Sequence, residues 1–178
     1  SSSSAASDVY KRQALAIGNG ATANASGLFG AALAFGTNAT ATTGNAFTFA
    51  TAVGEESGAT AAGLFGIATQ LGSNGTAVTQ GSGSLGNLGL NIAFNVSPAS
   101  GGDSVVAGGI GNLAANLFGR ASTPGSHTVS SLGTLDVALN IGGRNNTVRS
   151  GAGLFNRAFS FFGSNNTVSG EGGPVSYT

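Results

Sequence analysis

The chain has no cysteine, no methionine and no tryptophan, and only 7% of its residues are charged. Each shortage removes a class of protein. Without cysteine there is no disulfide framework, no thiolate nucleophile and no zinc ribbon, and the redox compartment is left open. Soluble domains usually carry about 25% charged residues. Beyond residue 13 the basic residues are Arg120, Arg144, Arg149 and Arg157, set against Glu55, Glu56, Asp103, Asp136 and Glu171. This near-neutral balance lacks the positive footprint of a nucleic-acid-binding protein. Long hydrophobic runs are missing too: nothing approaches the roughly 18 consecutive apolar residues of a membrane helix.

What the chain does have is 32 glycines and 11 phenylalanines in 178 residues, a length that suits one domain. The phenylalanines argue against disorder, which goes with few large apolar residues and high net charge. Residues 3–13, Ser-Ser-Ala-Ala-Ser-Asp-Val-Tyr-Lys-Arg-Gln, are unlike the rest and resemble a translated sequencing-library adapter. That resemblance implies a metagenomic fragment in which residues 1–13 are a non-native, unstructured leader and native coding begins near Ala14. Residues 1–13 are therefore set aside in reading the fold.

Self-similarity is the strongest signal. Ala14-Leu-Ala-Ile-Gly18-Asn-Gly-Ala-Thr-Ala23 repeats as Ala32-Leu-Ala-Phe-Gly36-Thr-Asn-Ala-Thr-Ala41, and the same glycine returns at Gly54 and Gly72. Phe29, Phe47 and Phe65 keep this eighteen-residue register. A second repeat superposes 134–153 on 154–173, sharing Asn145-Asn-Thr-Val148 with Asn165-Asn-Thr-Val168. The chain thus divides into regular coils over 14–83, looser coils over 84–133 with Pro98 and Pro124 in their turns, and twenty-residue coils over 134–178.

Within a coil, large and small residues alternate, as in Phe29, Ala31, Leu33 and Phe35 with Gly30, Ala32 and Ala34 between them. Alternation with period two means strand. A shorter alternation follows each turn glycine, with Ala21 and Ala23, Ala39 and Ala41, and later Val148 and Val168. The expected fold is all-β: a single β-solenoid of about eight coils of 18–24 residues, with the bulky residues of one wall and the small residues of the other turned inward. One coil cannot offset its own backbone entropy of about 1–2 kcal/mol per residue, so stacking must supply the stability. Asn38, Asn74, Asn145 and Asn165, each two residues before a threonine, fit tight turns. They also match a glycosylation sequon.

The segment Ala16-Ile-Gly-Asn-Gly-Ala-Thr-Ala-Asn-Ala-Ser-Gly27 resembles the head repeat of trimeric autotransporter adhesins, with looser echoes at 32–44 and 52–63. It departs from that repeat by a longer period and by Leu-Phe-Gly at 28–30 and 64–66. The resemblance implies a left-handed β-roll on a bacterial surface. In overall texture the chain is also similar to glycine- and alanine-rich exported repeat proteins of actinobacteria.

Motifs that could carry chemistry are thin. Gly81-Ser-Gly83-Ser-Leu-Gly86 and the Val105–Ala114 segment have glycine spacings that suit a dinucleotide, but the first is followed by the strand-like Leu88–Phe94 alternation, and the acid after the second, Asp136, sits near the start of a strand where it should close one. Asp103 is a single acid where a calcium roll needs one turn after turn. His127 reads as a turn histidine, and the adjacent Glu55 and Glu56 as solvated corner charges. No catalytic, cofactor or metal residue is expected, and the chain is read as a non-enzyme.

Two surfaces stand out. Thr22, Thr40, Gly58, Thr76, Ser104, Thr128, Thr147 and Thr167 align in one outward file beside Asn24, Thr42, Thr60, Val78, Val106, Ser130, Arg149 and Ser169. The first file resembles the hydroxyl array of ice-binding solenoids. On the opposite wall, Gly30, Ala32, Ala34, Ala50, Ala52, Gly66 and Ala68 are expected to form a small apolar outer face for self-association. The function these features suggest is a secreted or cell-surface structural or adhesion-type repeat protein that forms a homo-oligomer or surface layer. Ice binding and carbohydrate binding or cleavage on a β-helix are the alternatives.

Overall fold

The computed structural model describes residues 11–81, 89–97, 102–123, 126–151, 153–171 and the backbone of 176–177. The glycine motif beyond Gly81, together with Leu88, Pro98, Pro124 and most of the adapter-like leader, lies outside the described residues. The described chain is an all-β solenoid of two parallel sheets, with no helix.

Sheet A takes the odd strands: β1 (Gln13–Ile17), β3 (Ala31–Phe35), β5 (Phe49–Val53), β7 (Phe65–Leu71), β9 (Leu90–Val96), β11 (Leu113–Leu117), β13 (Val137–Ile141), β15 (Arg157–Phe161) and β17 (Ser176–Tyr177). Sheet B takes the even ones: β2 (Thr22–Ala25), β4 (Thr40–Thr43), β6 (Gly58–Ala61), β8 (Thr76–Gln80), β10 (Ser104–Ile110), β12 (Thr128–Thr134), β14 (Thr147–Ser150) and β16 (Thr167–Gly170). Seven parallel steps link the eight strands of sheet B, so the chain makes about seven turns, against the eight coils counted in the sequence. The repeats set the register: Ala14 pairs with Ala32 and Ala32 with Ala50, eighteen residues apart, and Val137 pairs with Arg157, twenty apart.

Corners are made by the residues that the repeat singled out. Gly18, Gly36, Gly54 and Gly72 have φ of +135°, +134°, +132° and +120°, and a Cβ on any of them would collide with the carbonyl of the residue stacked above. Only glycine combines that φ with so close an approach. Asn38, Asn74, Asn145 and Asn165 have φ of +55°, +57°, +52° and +58°, the left-handed turn geometry that asparagine tolerates.

The core inverts the expectation for sheet A. Ala32, Ala34, Ala50, Ala52 and Ala68 are fully buried and Gly30 and Gly66 are buried with them, so this set is the interior and not an outer face for self-association. Its partners in alternation, Leu33, Phe35, Phe49, Val53 and Ile67, point outward instead. One alanine file, Ala14, Ala32, Ala50, Ala68, Ala93, Ala114, Ala138 and Ala158, runs through every coil in register. Facing it, sheet B turns Ala23, Ala41, Ala59 and Ala77 inward, then Val105, Val129, Val148 and Val168. Corners of four residues (18–21) and five residues (26–30) join the strands of a coil. In the early coils the slot they enclose is filled by methyl groups from both sides.

Candidate functional site

Because the small residues are inside, the large ones build a surface. The outward side of sheet A consists of three files in register. One runs Gln13, Ala31, Phe49, Ile67, Ile92, Leu113, Val137, Arg157, and a second Ile17, Phe35, Val53, Leu71, Val96, Leu117, Ile141, Phe161. Between them lie Leu15, Leu33, Thr51, Thr69, Phe94, Ala115, Leu139 and Phe159. Arg157 is the one charged side chain among these positions. Neighbours along a file shield each other, yet Ile17, Phe49, Leu90 and Phe161 remain 46–56% exposed. Phe29 and Phe47, in the corners before β3 and β5, and Phe65, at the start of β7, stack with centroids 5.1 Å apart at 16° and 18°, continuing the apolar strip around the edge. The phenylalanines of successive coils therefore stack, but outside the core.

Sheet B presents a different chemistry. Thr22, Thr40, Gly58, Thr76, Ser104, Thr128, Thr147 and Thr167 are consecutive ladder partners and point outward, alternating with the buried file. The neighbouring file carries Val78, Val106 and Arg149 among hydroxyls. Hydroxyl regularity is thus confined to one column.

Inside the later coils lies a polar spine that sequence reasoning missed. Gln70, Asn95, Asn116 and Asn140 occupy one inward file, each amide donating to the preceding side-chain oxygen: Asn95 to Gln70 at 2.6 Å, Asn116 to Asn95 at 2.9 Å and Asn140 to Asn116 at 2.9 Å. A second file, Asn91, Asn112, Asp136 and Asn156, serves the opposite corner, where Asp136 Oδ1 accepts the Asn156 backbone N–H at 2.7 Å. The shared spacing of Asn95, Asn116 and Asn140 with the alanine file was the signal available in the sequence.

His127 belongs to this interior and is no turn residue on the surface: it is fully buried. Its Nδ1 accepts the Asn146 backbone N–H at 3.1 Å, and Nε2 lies 3.0 Å from Asn116 Oδ1. That pairing fixes a neutral imidazole protonated on Nε2. Burial lowers its pKa, partly opposed by the Asp103 charge. Asp103 is buried one coil earlier in the same file, and burial raises its pKa against the pull of the Ser97 hydroxyl, His127 and the Ala121 amide.

The remaining motifs separate. Val105–Ala114 forms strand β10, a Gly111-Asn112 corner and strand β11, so no helix N-terminus is present to hold a phosphate. Asp103 and Asp136 are buried, while Glu55 and Glu56 are exposed at the corner after β5. Among the described residues no three His, Asp or Glu side chains gather as metal ligands. An open groove of about 410 Å³ is lined mainly by Gly108, Gly109, Gly133 and Gly153 with Leu132 and Thr134, and carries no charged side chain. Among the described residues no helix is long and apolar enough to cross a membrane. No family model, curated protein or solved structure matches the chain, and what stands is a β-solenoid whose distinguishing site is its surface.

Proposed function

We propose that the chain is a non-enzymatic structural repeat protein of a bacterial surface or secreted layer, and that it works by contact through the outer side of sheet A. One observation carries this reading: a solenoid whose small side chains fill the core displays Leu, Ile, Val and Phe along three adjoining outward files of sheet A, one of them apolar at every rung. Soluble monomers rarely expose contiguous apolar patches beyond about 300–600 Å² unless the patch is functional. The adhesin-like segment at 16–27 supports the cell-surface or extracellular placement. Dye binding by anilinonaphthalene sulfonate, read beside light scattering on protein with a cooperative melt, tests it. The folded chain either binds the dye or assembles; a folded, dye-silent monomer overturns the reading.

The threonine column of sheet B supports ice binding as a second reading. Thermal hysteresis that disappears in Thr40→Tyr would establish it. Gly58 within the column, and Val78, Val106 and Arg149 beside it, interrupt a lattice match and rank it below contact.

A further inference from the structure

Resting on the contact reading, we propose that the sheet A face is covered by the same face of a second copy, the two solenoids running antiparallel about a two-fold axis. Area permits it. Five residues at about 3.3 Å and eight rungs at about 4.8 Å give a plane of roughly 16 by 40 Å. That is roughly 650 Å² in projection, and side-chain relief brings it near the ~800 Å² per partner of a stable interface.

Shape selects the stoichiometry. The outward files of sheet A share one face, backed by a hydroxyl-bearing sheet, so two copies cover that face and leave only the Phe29, Phe47 and Phe65 strip at its margin, whereas a three-fold prism needs two inclined apolar faces per copy. Charge selects the partner. A face whose single charge is Arg157 offers an acidic or basic partner little to recognise, and two such faces meet without repulsion.

The order of residues selects the direction. The file that ends at Arg157 is apolar from Ala31 to Val137. Reversed upon itself it sets Ile67 against Ile92 and holds the two Arg157 side chains at opposite ends, so the like charges stay apart and the apolar centre stays dry. A parallel pair would set Arg157 over the Phe161 file instead.

The experiment is multi-angle light scattering across a concentration series on the full chain, with Ile92→Lys on sheet A and Val106→Lys on sheet B. The wild type is expected as a dimer, weakened at least tenfold by Ile92→Lys and unchanged by Val106→Lys. Should Ile92→Lys fail to fold, Leu113→Thr makes the same test with a milder change. A nitroxide at Arg157→Cys then reads direction: antiparallel copies separate the labels by about seven strand spacings, ~34 Å, and parallel copies bring them within about 20 Å. A trimer, a dimer indifferent to Ile92→Lys and Leu113→Thr, or close labels overturns the proposal. A monomer that binds the dye, or that adsorbs to neutral phosphatidylcholine vesicles, overturns the second copy yet leaves the contact face standing. A folded, dye-silent monomer removes both.

Discussion

At the level of single residues, the unusual chemistry is the buried Asp103 and His127, adjacent in one inward file. His127 has a pKa below its usual 6.5 because burial penalises the imidazolium, and Asp103 one above 3.8 because burial penalises the carboxylate. The signs oppose. The unfolded chain takes up the histidine proton more readily, so that contribution to stability is whole above pH 6.5 and is lost as pH falls toward the depressed folded value. The unfolded chain also releases the aspartate proton more readily, so that contribution is whole below pH 3.8 and is lost as pH rises through the raised folded value. Asp103→Asn removes the second and, with it, the carboxylate charge that partly supports the His127 imidazolium. Its melting temperature should exceed that of the wild type at pH 7 by a margin that closes toward pH 4, and a constant offset across this range would show that the charge is not the cause. Imidazolium formation also turns Nδ1 into a donor facing the Asn146 N–H, which breaks the 3.1 Å bond. In the sequence, a lone histidine after Pro-Gly-Ser carried only a turn signal; its burial comes from stacking on Asp103 and Asn146, which no local pattern records.

At the level of the strand, alternation announced two faces but not which one is inside. Choosing the bulky set rested on the greater transfer energy of large side chains, about 1.5–3 kcal/mol each when fully buried. Geometry overrides that preference, because short corners hold the sheets too close for rings and branched chains to face each other. Two features of the sequence pointed the right way. The file of Leu33 admits Thr51, Thr69 and Ala115, while the file of Ala32 keeps alanine through eight strands, the mark of a position held by packing. Coil period, corner glycines, asparagine turns and the threonine column could be read directly, since all depend on register alone. The face, and the asparagine spine beside it, depend on sheet separation, which register does not contain. Ala50→Leu therefore overpacks the slot and should cost about 1–3 kcal/mol or more, whereas Phe49→Ser, its outward neighbour, should shift chemical denaturation far less. Equal losses from the two would place the ring inside and reverse the assignment of faces.

At the level of the whole molecule, stability is a sum over rungs, each bound to its two neighbours by ladder hydrogen bonds and by one layer of methyl groups. The pairing of Ala32 with Ala50 makes the coil a modular unit: removing residues 32–49 joins Ala31 to Ala50 with every inward file intact. The shortened chain should keep its β circular dichroism and melt cooperatively, losing one rung from the core and one rung from the apolar face. Removing one residue more or fewer cannot be absorbed in the same way. A one-residue slip turns every side chain of a strand to the other face, which would drive Phe49 and Val53 into an alanine slot or force a bulge at the junction. Comparing deletions of 32–49 and 32–48 by thermal melting separates the two effects, because chain length differs by one residue while register differs by a whole face. If both deletions melt alike, the rungs are not held by a common alanine file, and the flat outer plane that depends on that file loses its support.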